Sequence, residues 1–225
     1  MLSQRARAYL STLVRNDEWV TNPAMVIEYF TKQGVFLSDN LLKVQLDYSG
    51  YKLTIKGDPG HAFLLNFISK RDVSKNTEIV SYPLKRGYLL EFGEHATAHF
   101  TFYITDEGEI CTWGPEVGDE PNIICSSVEK FIEQYALQNE LTAQVEYPGY
   151  YKISNLEQLE SMLHQDFDEI TVCSNMHSYW GTNETLTVVK GTWLHEPKFY
   201  LHVYGKNSDT CARFIGKLKL LSIIN

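Results

Sequence analysis

Ala6, Tyr9, Leu10, Leu13 and Val14 fall at the i, i+3, i+4, i+7 spacing of one helix face, and Ser3 stands in N-cap position, so the chain is expected to open with a short helix. Asn22-Pro23 supplies a cap and a preset first turn for a second helix. Val26, Tyr29 and Phe30 form its apolar stripe, and Gly34 ends it in the left-handed conformation. Ser38 starts a third helix through Leu41, Leu42, Gln45, Leu46 and Tyr48, closed by Ser49-Gly50. At Tyr51 the period changes from helical to alternating. Tyr51, Leu53 and Ile55 face one way and Lys52, Thr54 and Lys56 the other, which begins a sheet. Gly57-Asp58-Pro59-Gly60 reads as a turn, and strands are expected over Ala62 to Ile68, Glu78 to Leu84 and Tyr88 to Phe92.

The clearest alternation sets Ala96, Ala98, Phe100, Phe102 and Ile104 against His95, Thr97, His99, Thr101 and Tyr103. It predicts one long strand of an antiparallel sheet, packed on one face and polar on the other. A helix then begins at Ser126, where Ser126 and Glu129 have capping-box spacing and Val128, Phe131, Ile132, Tyr135 and Ala136 make the buried stripe. Tyr147-Pro148-Gly149-Tyr150 reads as a joint. Beyond it, Asn155 caps a helix carrying Leu156, Leu159, Met162 and Leu163. Strands follow near Ile170 to Cys173, Leu186 to Val189 and Phe199 to Tyr204, then a last helix with Cys211, Phe214, Ile215 and Leu218. The expected fold is α+β: a central, mainly antiparallel sheet flanked by helices over residues 1–145, with a C-terminal α/β extension over 146–225 packed on that sheet or continuing it.

With 225 residues and 44% hydrophobic positions the chain can bury a sizeable core. A formal net charge of −8 without a long basic run argues against nucleic acid, because phosphate binding needs clustered Lys and Arg. No stretch reaches the apolar length of a membrane span, so no membrane partner is expected. Met1 to Arg7 lacks the apolar core of a secretion signal, which points to a cytoplasmic protein with reduced thiols.

Catalytic motifs are sparse. Cys111, Cys125, Cys173 and Cys211 form no CxxC pair, and no metal is expected. His95 and His99, four residues apart on a strand, would lie roughly 13 Å from each other, too far to share an ion. His195-Glu196 is followed by Pro197 and lacks the second histidine of HExxH. Cys173 with His177 is the one nucleophile–base pairing to consider, and a strand-end cysteine in the core is the plainer reading. Phosphate-binding and nucleotide-binding glycine motifs are absent, so no cofactor is expected. What stands out is charge: six acidic residues and no basic one lie between Asp106 and Glu120. Tyr179-Trp180-Gly181-Thr182-Asn183 reads as an exposed loop with an aromatic anchor.

Several separated pieces resemble the SUKH superfamily, whose bacterial members include immunity proteins of polymorphic toxin systems. Lys32-Gln33-Gly34, then Phe36-Leu37-Ser38-Asp39, then a helix closing at Tyr48-Ser49-Gly50-Tyr51 are similar to that family's helix, short entry and aromatic-glycine stretch. Asp106-Glu107-Gly108-Glu109-Ile110 resembles its D-x-G-x-[IVL] hairpin, and Ser126 to Glu133 its S-[FV]-x-x-[FL]-[IL]-E helix. The likeness spans roughly residues 23–141. This chain has no Pro after Leu37 and no second Gly after Gly50.

The resemblance implies an α+β fold, no catalysis, and neutralisation of a toxin domain such as a nuclease or deaminase. An acidic surface would then take the place of the phosphates that a basic toxin attracts. Asp106, Glu107, Glu109, Glu116, Asp119 and Glu120 are the candidate partner-binding residues, with His99, Tyr103 and Trp180 as neutral anchors. Two alternatives stand beside this expectation. One is a scaffold or regulatory protein-binding module of the same fold; the other is a small hydrolase using Cys173 or the histidines, recognisable by a deep pocket holding two such groups within hydrogen-bond reach.

Overall fold

The computed structural model describes residues 1–114 and 118–225. Three helices open the chain: α1 (Gln4–Ser11), α2 (Pro23–Gln33) and α3 (Asp39–Asp47). Each has the predicted cap, since Ser3, Asn22 and Ser38 all accept a hydrogen bond from the first turn, and Gly34 ends α2 at φ 68°. Only Val14 departs from its stripe. It lies beyond the end of α1 and is exposed.

The hairpin of β1 (Lys52–Ile55) and β2 (Asp58–Leu64) turns on Lys56-Gly57, one residue pair earlier than the proline suggested. A short helix, α4 (Lys70–Lys75), then appears where none was predicted. Its Ser69/Asp72 capping box was present in the sequence. Next come β3 (Ser81–Pro83), β4 (Tyr88–Glu91), β5 (Glu94–His95), β6 (Phe102–Thr105), β7 (Ile110–Gly114) and β8 (Gly118–Cys125). Here the predicted long strand is broken. Residues 96–101 form no strand, so β5 joins β2 in a three-stranded sheet while β6 lies inside a five-stranded one of order β3-β4-β6-β7-β8.

All four residues of β6 are buried, and the expected polar face is therefore absent there. Phe102 and Ile104 enter the main core with Phe63, Leu90, Ile110 and Ile132; Tyr103 joins Leu89 and Cys111 in a small second cluster on the opposite face.

Helix α5 (Val128–Leu141) packs across the core. Its cap is Ser127, which accepts from the Lys130 amide at 3.2 Å, in place of the predicted Ser126. Glu129 is freed from capping and meets the Lys43 ammonium and the Tyr48 hydroxyl. One turn further on, buried Glu133 accepts from the amide and hydroxyl of Ser3 at 2.6 and 2.7 Å and from Arg5 at 3.4 Å, which ties α1 to α5. Every larger apolar side chain buried on α5 stabilises the fold by about 1.5–3 kcal/mol, so the helix is a fixed support.

The C-terminal part comprises β9 (Val145–Glu146), β10 (Tyr151–Lys152), α6 (Leu156–Asp166), β11 (Asp168–Glu169), β12 (Tyr179–Thr182), β13 (Leu186–Thr192), β14 (Phe199–Gly205) and α7 (Ser208–Leu220). Its strands form a separate sheet of order β10-β14-β13-β12-β11, with β9 also on β14. All its pairings are antiparallel, so this part is α+β and not the α/β unit expected. The strand predicted at Ile170 to Cys173 is a turn, and the loop predicted at Tyr179 is a strand. Leu137 and Leu141 of α5 pack with Cys173, Trp180 and Val189, and the Thr112 hydroxyl and Asn122 amide donate to the Leu194 and Trp193 carbonyls, both at 2.6 Å, so α5, β7 and β8 all join the two parts.

Candidate functional site

The Asp106–Glu109 turn links β6 to β7 and is held on three sides. The Ser38 hydroxyl donates to the Asp106 carbonyl at 2.6 Å, and the Asn40 amide to the Glu107 carbonyl at 3.0 Å. The Asp106 carboxylate in turn accepts from the Tyr88 amide at 3.3 Å. Gly108 sits at φ 89°, a conformation that side-chain-bearing residues adopt only with strain. Partial burial pushes the Glu109 carboxyl above its usual range, and the charges of Glu107 and Asp106 add to that. Among the described residues, none of these three carboxylates makes an ion pair with a Lys or Arg of the same chain.

The six predicted carboxylates are not one cluster. Asp119 and Glu120 open β8 at the end where Gly118 faces Gly114, whereas the turn lies at the other end, where Ile110 faces Cys125. Both are exposed, and Glu120 is paired with Lys85. Glu116 lies outside the described residues.

His99 is exposed on the stretch between β5 and β6. Tyr103 and Trp180 are corrections: at 8% and 3% exposed, both are core residues and neither offers a free ring. Tyr103 is covered because β6 is an interior strand whose neighbours place Tyr82 and Trp113 over it, with ring centroids 5.5 and 6.1 Å away. Trp180 is covered because β12 packs beneath α5.

Sequence reading overlooked the covering residues themselves. Tyr82, Leu84, Trp113 and Ile123 are half-buried on the face of the five-stranded sheet that points away from the main core. Glu91 stands directly across from Tyr103 on this face, and the Tyr82 hydroxyl lies 3.5 Å from its carboxylate. This aromatic centre therefore has carboxylates on its rim: Glu91 beside it, Glu109 two residues from Cys111, and Asp119 and Glu120 at the start of β8. The available signal was alternation, since Tyr103, Cys111 and Trp113 each sit one residue out of phase with a core position.

A second feature is a cavity of about 300 Å3 between α5, the β2–β5 edge and the C-terminal sheet. Phe131, Gln134, Tyr135 and Gln138 line it from one face of α5, at helical spacing. His95 forms part of its wall as the neutral imidazole, because its Nδ1 accepts from the Thr97 and Ala98 amides at 3.2 and 3.1 Å. Its ring meets that of His61 at 5.5 Å, and His61 lies 3.4 Å from Asp58.

Cys173 and His177 do not form a nucleophile–base pair. The Cys173 thiol is pushed up to about 12 by burial, and its contact is Arg5 at 3.3 Å. Burial pushes the thiols of Cys111 and Cys125 up to about 12 as well, far from the range of an activated nucleophile. Among the described residues, no group of three or more His, Cys, Asp or Glu side chains is placed to hold a metal ion, and no helix is long and apolar enough to cross a membrane.

Comparison with protein-family models, with curated proteins and with solved structures finds no match. Function must therefore be inferred from the geometry and from the motifs quoted above.

Proposed function

We propose that this protein acts by non-covalent occlusion of a basic protein partner, as an immunity protein occludes a cognate toxin domain, and that it does so with the outer face of the five-stranded sheet. One observation carries this reading: half-exposed Tyr82 and Trp113 stand at the centre of that face with carboxylates around them. Aromatic anchors at the centre of an interface contribute most of its affinity, while a charged rim mainly sets the association rate and excludes wrong partners. The pinned turn adds to this. Like charges held together without cations of their own gain from a basic partner that relieves their repulsion.

The test uses tagged wild-type protein and a Tyr82→Ala/Trp113→Ala variant to co-purify partners from the native cell. Expected is a basic protein retained by the wild type and lost by the variant, whose toxic activity the wild type suppresses in a growth assay. Retention of the same protein by both would remove this face from the interface. A retained protein with no toxicity would favour the scaffold reading.

A further inference from the structure

Two hollows adjoin beside α5, apart from the outer sheet face, and they differ in chemistry. The cavity of about 300 Å3 and a second recess both include His61, Gln138 and Tyr150 in their linings, so they meet at those residues. Rings dominate the cavity. Phe131 and Tyr135 stand on α5, and Tyr150, Trp193 and Tyr200 on the C-terminal part, the last three packed on one another with centroids 5.0 to 6.1 Å apart. Charge is concentrated in the recess, which is lined by Lys56, Asp58 and Glu146. One ammonium against two carboxylates leaves a negative charge over. The Asp58 carboxylate lies 3.4 Å from His61, where cavity and recess meet.

The polar groups around this space are phenols without partners. Among the described residues the hydroxyls of Tyr135, Tyr200 and Tyr204 make no hydrogen bond, and each keeps accessible surface, unlike the sealed indole nitrogen of Trp180. Tyr135 is otherwise buried, at 4% exposure, so its hydroxyl is the part left open. Burial pushes the Tyr135 and Tyr150 phenols up, with the Asp58 charge adding to both and the Glu146 charge to Tyr150. They are therefore neutral and stand in the field of carboxylates. A cation entering among them meets oxygen lone pairs and the negative faces of rings, both of which attract it. Glu146 carries a demand of its own. His202, 2% exposed, donates from Nδ1 to the Gly149 carbonyl at 3.0 Å, which leaves the lone pair of the neutral ring on Nε2. Nε2 is sealed and has no hydrogen-bond partner, although the Glu146 carboxylate is 3.1 Å away. Two acceptors thus face each other. The Glu146 side chain is 60% exposed, so a cation from solvent can reach it and relieve the contact without reaching the ring.

We infer that cavity and recess together bind a small arylalkylammonium cation, its flat ring enclosed by the aromatic walls and its primary ammonium held by Asp58 and Glu146. The ring gains offset or edge-to-face contact with Phe131, Tyr135 and the Tyr150–Trp193–Tyr200 wall, and the cavity volume lies at the small end of ligand pockets. The ammonium supplies the positive charge that the recess lacks. An aromatic amino acid is the rival, because it would add a carboxylate for Lys56, and it is separated from the amine by experiment.

The experiment is isothermal titration of the full chain with 2-phenylethylamine at low salt and about pH 8, where an alkylamine is charged. The contrasts are 2-phenylethanol, which keeps the ring and loses the charge, ethylamine, which keeps the charge and loses the ring, and phenylalanine. Expected is saturable binding of 2-phenylethylamine, with each contrast at least tenfold weaker. Asp58→Asn with Glu146→Gln should weaken the amine at least tenfold and leave the alcohol unchanged. Both side chains are more than half exposed, at 54% and 60%, so the fold tolerates the pair, and either single variant should show part of the loss. No saturable heat from the amine at millimolar concentration overturns the assignment. So does the alcohol, ethylamine or phenylalanine binding as tightly as the amine, or an amine affinity that the double variant leaves unchanged.

Discussion

The outer sheet face and the α5 cavity use the same side chains to opposite ends. Both are rich in Tyr and Trp, the face over its own small cluster and the cavity beside the main core. On the face, Tyr82 and Trp113 are only partly buried, and the Tyr82 hydroxyl reaches the Glu91 carboxylate. In the cavity, Trp180 and Tyr135 are enclosed between two layers and are nearly inaccessible. Composition does not distinguish the two; a second layer does. Where the C-terminal sheet packs over α5, aromatic residues become walls, and where, among the described residues, no strand lies over the outer side of the five-stranded sheet, they become a presented surface.

The largest expected effect tests whether wall and surface differ energetically. Phe63 is fully buried, lines the cavity, and meets the rings of Phe102 and Phe131 at 5.0 and 4.9 Å. Phe63→Ala should cost about 3–5 kcal/mol of unfolding free energy, read as a shift in urea midpoint at constant slope. Trp113→Ala should cost less than half of that, because its ring is only partly buried. Equal costs would erase the distinction.

That distinction was only partly legible in the sequence. Local chemistry was readable: Ser3, Asn22, Ser38 and Asn155 all cap the helices assigned to them, because a cap depends on residues within one turn. The shift from Ser126 to Ser127 is a boundary error of one residue, where two adjacent serines compete and the better-placed hydroxyl wins. Tertiary covering was not readable. The alternation from His95 to Ile104 suits a half-exposed strand, yet β6 is buried on both faces by residues distant in sequence, and the chain leaves the sheet at residues 96–101. Of the proposed face, the turn Asp106–Glu109 was visible as charge. Tyr82 and Trp113 were hidden, since what marks them is exposure on a sheet whose partner strands no local pattern names. Trp180 was misread for the converse reason: a Tyr-Trp-Gly stretch between strands looks like a loop until β11 and β13 pair with it.

The next effect concerns affinity. Against the protein partner proposed above, Trp113→Ala should weaken binding by about 2 kcal/mol, roughly 30-fold, chiefly through faster dissociation. An affinity that Trp113→Ala leaves unchanged would remove its ring from the interface. Weaker still is the effect of charge. Asp106→Asn, Glu107→Gln and Glu109→Gln together should slow association several-fold at low salt and leave it nearly unchanged near 0.5 M, where screening is strong. An association rate that ignores both substitution and salt would detach the turn from the interface.

Acidification should produce the smallest effect, and it should reach the cavity before the face. Burial holds the imidazoles of His95, His177 and His202 below the usual histidine range. His95 lines the cavity, His202 stacks on Tyr150 at 4.6 Å, and His177 precedes Ser178 in the wall. For each the folded-state value lies below the unfolded one. Between the two values the unfolded chain binds a proton that the folded chain does not, so stability is whole above about pH 6.5 and falls as pH drops through that window. Opposing contacts keep the fall modest, since Asp58 favours the charged form of His95, and Gly149 and Glu146 favour that of His202. Glu109 has the opposite sign: its raised folded-state value means that protonation relieves the turn. Urea midpoints taken between pH 7.5 and 5.0 should therefore decline gradually, and His95→Gln should flatten the decline by keeping an acceptor for the Thr97 and Ala98 amides without a titrating ring. A profile that stays level down to pH 5, or one that His95→Gln leaves as steep, would show that the cavity's histidines do not sense protons and would leave burial alone separating the two regions.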